Sequence, residues 1–268
     1  MAQEHVQPCR LWRLGVVSYL NARPLIAGLE VDERVQLRYE VPSRLPALLE
    51  EGVVEAALVP VIDLVRPGRA WQVVSDACIG CDGETLTVRV FSRVPAASIR
   101  RLHVDGDSHT SVALAAILWH ELYGVDLRIL PFAGEETLDE CEAVLLIGDK
   151  VVAHSLLDFE IETDLGAAWK TLTSLPFVFA VWASPCDGDV EGLGDLLSQA
   201  RDRGVASAAM IAADVGPGMG WPVTLAKRYL TTRLRFGLGP RQREGMARFL
   251  QLARANRVVP ADRDPVFA

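Results

Sequence analysis

Ser18, Tyr19 and Asn21 fall at the end of a short apolar run, residues 14–19, that reads as a buried strand. Ligands of open α/β sheets bind beyond the carboxyl ends of strands, and an asparagine there carries both a donor and an acceptor. The same Asn21, three residues before Pro24, also suits a plain turn into a helix. Residues 105–111, Asp-Gly-Asp-Ser-His-Thr-Ser, stand between a predicted strand and a predicted helix. Ser108, Thr110 and Ser111 bring hydroxyls to a helix start, with His109 among them. Dipole and free N–H groups both favour negative charge there, which makes an anion pocket; one hydroxyl alone would make an N-cap. Thr85 and Thr87 share one face of a strand at period-2 spacing, toward a cleft or simply as strand formers. Asp149 ends the run 143–147 and is placed to meet a substrate hydroxyl, to move a proton, or to cap the next helix.

Other candidates lead nowhere chemically. His5, His103, His120 and His154 have no partners at metal-ligand spacing, and Cys78 with Cys81 forms a lone CxxC without a second pair. Residues 216–220, Gly-Pro-Gly-Met-Gly, lack the Lys-Ser/Thr of a phosphate loop. Residues 173–177 are expected to shape a cleft wall and hinge. The five cysteines, an odd number, point to a reducing compartment. The net charge of −8, with Lys and Arg scattered, argues against a nucleic-acid partner and leaves a small anion open. Apolar runs are far shorter than a membrane span, and residues 1–13 are polar with no secretion-signal pattern, so the expected location is the cytoplasm, off the membrane.

The elements that must position these residues alternate. Strands at 14–19, 37–41 and 54–59 enclose helices at 24–29 and 45–52, the order of an α/β layer with a mostly parallel sheet. Strands at 71–75 and 85–92 follow. A second α/β unit holds strands at 99–105, 127–130 and 143–147 and a helix at 111–123. Residues 177–183 form a return strand, and helices are expected at 193–203, 206–214, 222–235 and 241–256, with 258–268 as a surface tail. The simplest architecture is two α/β lobes joined by two crossovers with a cleft between them: residues 1–92 plus 184–268 in the first lobe, and 93–183 in the second.

In order along the chain, residues 17–25 (Val-Ser-Tyr-Leu-Asn-Ala-Arg-Pro-Leu), 56–60 (Ala-Ala-Leu-Val-Pro), 108–114 (Ser-His-Thr-Ser-Val-Ala-Leu), 146–149 (Leu-Ile-Gly-Asp) and 175–182 (Leu-Pro-Phe-Val-Phe-Ala-Val-Trp) resemble the signature blocks of chorismate dehydratases, enzymes of the futalosine route to menaquinone. The resemblance covers nearly the whole chain. It implies a fold like that of type II periplasmic binding proteins, conversion of chorismate to 3-(1-carboxyvinyloxy)benzoate and water, and no metal or organic cofactor. It places Asn21 at the family's proposed catalytic asparagine, Thr87 where a serine is usual, and Ser108, Thr110 and Ser111 in a carboxylate-binding block. His109 stands where an arginine is expected, Glu55 where an aspartate is, and Ser174 where a glycine is.

The implied elimination aromatises the ring, so no electron acceptor is needed; orientation, a proton acceptor and a proton donor are. An amide is a poor base, which leaves the substrate's own side-chain carboxylate, aligned by Asn21, as acceptor, with Asp149 or His109 as rivals. The competing functions are a cytoplasmic small-anion binding module and the related 1,4-dihydroxy-6-naphthoate synthase. The blocks at 18–24 and 175–182 favour the dehydratase.

Overall fold

The computed structural model describes residues 10–132, 134–153, 159–259 and 264–268; His5 and His154 lie outside them. The chain runs β1 (Trp12–Val17), β2 (Val35–Glu40), α1 (Leu45–Glu50), β3 (Ala56–Pro60), β4 (Trp71–Cys81), β5 (Val88–Ser92), β6 (Arg101–Val104) and α2 (His109–Tyr123). It continues through β7 (Arg128–Pro131), β8 (Ala143–Ile147), α3 (Lys150–Ala153), β9 (Ile161–Asp164), α4 (Leu165–Thr173) and β10 (Phe177–Pro185). The last third holds α5 (Leu193–Ala206), α6 (Ala208–Asp214), α7 (Val223–Arg228), β11 (Leu234–Gly237), α8 (Pro240–Ala255) and β12 (Val266–Phe267). Short 3-10 segments at Leu20–Ile26 and Val61–Val65 follow β1 and β3.

These strands make two sheets. One has seven strands, ordered β11-β4-β10-β3-β1-β2, with β12 beside β4; the other has five, ordered β7-β6-β8-β5-β9. β1 pairs parallel with β2 and β3, while β10 returns antiparallel between β3 and β4. The central strands β3 and β8 are buried at every residue, as strands covered on both faces must be.

Sheet membership corrects the expected boundaries. β5 belongs to the five-stranded sheet, so residues 88–92 leave the first lobe; β10 belongs to the seven-stranded one, so residues 177–183 join it. β4 also runs on to Cys81, where a stop near Ser75 is expected. Ser75 and Asp76 look like a strand end. Their register against β10 is irregular between Val73 and Cys78, and the polar groups are met by α5: Ser75 by the Ser198 hydroxyl at 3.2 Å, and Asp76 by Arg201 at 3.0 Å. The single helix expected at 222–235 instead ends in a wide π turn at Tyr229–Arg233 and becomes β11. The tail is not free: Val266–Phe267 pair with β4. β9 and α4 were not anticipated. Ser174 ends α4 at φ 60°, the left-handed conformation glycine adopts without penalty, which accounts for glycine being the expected residue there.

Helix α5 packs flush on the turn that carries Asn21. A Cβ at Gly204 would stand 1.8 Å from the Pro24 carbonyl oxygen, so only glycine permits this approach. Gly204→Ala is expected to destabilise the fold by about 2–3 kcal/mol and to lower activity by shifting that turn. Denaturant unfolding read beside a turnover assay checks this; unaltered values in both would mean that α5 does not set the position of Asn21.

Candidate active site

A cavity lies where the two sheets face each other, with walls from both; the space within it, counted with the open solvent at its mouth, is about 480 Å³. Val17, Ile79, Ile147 and Phe179 supply apolar surface. The polar groups are Tyr19, Asn21, Thr85, Thr87, Ser108, Ser111 and Tyr229; among the described residues no Lys, Arg, His, Asp or Glu lines it. Such a space can take a small, mostly planar molecule whose charges are met by hydroxyls and amides.

Asn21 sits in the 3-10 segment that leaves β1. Its Oδ1 is fully buried and has no hydrogen-bond partner among the described residues. Across from it, the Thr87 and Tyr229 hydroxyls are 2.7 Å apart, and both residues are buried. Burial pushes the Tyr229 phenol up; hydrogen bonds with Thr87 and Asn21 work against that rise. Thr85 and Thr87 do line the cavity, but from a turn and not along a strand. Leu86 between them has φ 74°, and the Asp164 carboxylate, which also caps α4, accepts from the Thr85 and Leu86 amides at 3.0 and 2.8 Å.

The second polar wall is the start of α2. The Ser108 hydroxyl accepts from the Ser111 amide at 3.2 Å and from the Ser111 hydroxyl at 3.0 Å, and both side chains border the cavity. Helical geometry puts residues three apart on one face and turns the two between them away. Thr110 accordingly accepts from the Ile62 amide at 3.3 Å, and His109 Nδ1 lies 2.8 Å from Asp63 Oδ2. Asp63 is fully buried and also meets Arg66 and Arg69 at 2.9 and 2.8 Å. The expected substrate contacts of His109 and Thr110 are thus corrected: both fasten α2 to the segment after β3, and the exchange of arginine for histidine falls on that contact instead of on the cavity.

Two further expectations are corrected. Ser18 is not a lining residue; its amide donates to the Glu40 carbonyl at 2.9 Å, continuing the β1–β2 ladder. Asp149 also lies off the cavity. Its carboxylate accepts from the Leu20 amide at 3.2 Å and from Trp221 Nε1 at 2.9 Å, tying the end of β8 to the Asn21 turn and to the Trp221 ring. Burial raises its pKa, while the bonds from Trp221 and Leu20 pull the other way. Gly148 beside it has φ 63° and lies against the Tyr19 ring, where a Cβ would come within 2.6 Å.

Tyr19 contributes to the wall and to closure. Its hydroxyl donates to Asp107 at 2.6 Å; Lys150 pairs with Asp107 and with Asp105, the latter at 3.0 Å; and the Ser43 amide donates to the Asp107 carbonyl at 2.9 Å. The Tyr19 and Ser43 bonds join the two lobes around the cavity, and Lys150 braces Asp107 within the second. Burial, with the Asp107 carboxylate next, pushes the Tyr19 phenol up, so it stays a donor. Tyr229 and Trp221 were not among the sequence candidates. Trp221 directly follows the Gly-rich run 216–220, whose only sequence signal is that it lacks the Lys-Ser/Thr of a phosphate loop. Cys78 and Cys81 are fully buried in β4, and burial pushes the Cys78 thiol up to about 12, as for a packing residue.

Known proteins agree with this architecture. A crystal structure of a protein from Archaeoglobus fulgidus superposes with a TM-score of 0.70 at 16% identity, covering 92% of this chain and 98% of that one. The alkanesulfonate-binding protein of Xanthomonas axonopodis pv. citri, solved with MOPS, gives 0.67 at 14% identity over 95% and 96%. The periplasmic aliphatic sulphonate binding protein of Escherichia coli gives 0.65 at 14% over 96% of each chain. The fold is therefore that of periplasmic binding proteins. Chorismate dehydratase of Thermus thermophilus is 28% identical over 259 residues, 90% of this chain and 95% of that protein. The family model described as menaquinone biosynthesis matches residues 12–255, and the chain belongs to that family.

Proposed function

We propose that this chain is a hydro-lyase of the cytoplasm that converts chorismate to 3-(1-carboxyvinyloxy)benzoate and water for menaquinone synthesis. The observation that carries the reading is the buried Asn21 Oδ1, without a partner among the described residues, in the same cavity as the Ser108–Ser111 hydroxyl pair. A dianion is received by hydroxyls and by the α2 N-terminus, with lobe contacts excluding water around it. The ring proton leaves the ether-bearing carbon, the electron pair enters the ring, and hydroxide departs from the neighbouring carbon. No titratable carboxylate or imidazole borders the cavity among the described residues, and Asp149 and His109 are engaged elsewhere. That favours the substrate's own side-chain carboxylate as proton acceptor, held in line by Asn21. The buried thiols of Cys78 and Cys81 fit a reducing compartment.

The test is purified protein with chorismate alone, followed by mass spectrometry. Loss of one water without an added cofactor is the expected result. Chorismate held tightly but unchanged would instead make the chain a binding module.

A further inference from the structure

We infer that Tyr229 is a positioning residue that sets the polarity of the cavity's floor, holding Thr87 as a donor toward the substrate; this rests on the dehydratase reading above. Tyr229 is anchored more firmly than a wall residue needs to be. Its ring stacks on Trp221 at 4.8 Å and 14°, and Trp221 is itself held by Asp149 at 2.9 Å. The residue opens the π turn that ends α7, a local widening that often marks functional positions. Its hydroxyl is 1% exposed at the residue level and sits 2.7 Å from Thr87 Oγ1.

Two hydroxyls at that distance share one proton between them. The phenol is the stronger donor, so Tyr229 donates to Thr87 and the Thr87 proton is left free to point into the cavity. A hydroxyl donor aimed into the cavity is what a departing hydroxide needs. Tyr229 never has to ionise, and no proton leaves it.

The experiment is a double-mutant cycle on the full chain with Tyr229→Phe and Thr87→Ala, reading kcat and KM for chorismate, its Kd by calorimetry, and Tm. Tyr229→Phe is expected to lower kcat about 30-fold with KM changed less than about threefold. In the Thr87→Ala background the same change should cost less than about threefold. Equal losses in both backgrounds, or a loss of kcat that simply follows Tm, would overturn the inference. If the parent protein binds chorismate without converting it, the dehydratase reading fails while the cycle, read on Kd, still decides the coupling. If chorismate is not bound at all, both fall.

Discussion

Asn21→Ala is expected to lower kcat for chorismate dehydration about 10³-fold while Tm stays close to that of the parent. The magnitude follows from what the side chain does. Oδ1 has no partner among the described residues to leave stranded, so its removal costs the fold little. In a cavity that no cationic side chain lines among the described residues, a fixed amide dipole is worth far more to a reacting anion than it would be in water. Asn21→Asp keeps the shape and exchanges the amide for a carboxylate. It is expected to be as inactive as alanine and also to bind chorismate more weakly, because a third negative charge would meet a dianion without a counter-ion. Single-turnover mass spectrometry with each variant separates the two effects. Retention of more than a tenth of parental activity by Asn21→Ala would remove the amide from the reaction.

The parts of this site that were legible in the sequence are those fixed by local geometry. Asn21 could be placed because the run 14–19 ends just before it and sheet ligands gather at strand ends. Ser108 could be placed because a hydroxyl before an apolar helix is a cap. The same helical logic separates Ser108 and Ser111 from His109 and Thr110, and a sequence block taken as a unit conceals it. What could not be read depends on pairings between distant residues. Tyr229 lines the cavity where its helix gives way to β11, which pairs with the far end of β4, and β4 passes Ser75 and Asp76 where side chains of α5 meet them. Asp149 presented itself as an acid at a strand end; that its oxygens are already taken by Leu20 and Trp221 is a tertiary fact.

Asp149→Ala should destabilise the protein by about 4 kcal/mol, because it strips the acceptor from two buried N–H groups, those of Leu20 and Trp221. Asp149→Asn keeps one carbonyl oxygen and is expected to lose less. Both variants act on the site indirectly, through the Asn21 turn and the Trp221 ring beneath Tyr229, so Asp149→Asn should remain within about tenfold of the parent in kcat. The pH dependence has a defined sign. Burial raises the Asp149 pKa in the folded state above its value of 3.8 in the open chain. The folded protein then holds that proton more tightly than the unfolded one, so this group's contribution is full below the open-chain value and is lost as pH rises through the folded one. Other carboxylates titrate alike in parent and variant and cancel in the difference. The stability gap between parent and Asp149→Asn should accordingly be widest in acid and narrow as pH rises, which chemical denaturation at stepped pH measures. A gap that widens with pH would mean that the ionised carboxylate is the form the fold prefers. Loss of all turnover in Asp149→Asn at unchanged stability would be more damaging, since it would return the proton to a protein base and leave Asn21 without its role as the aligner of a self-deprotonating substrate.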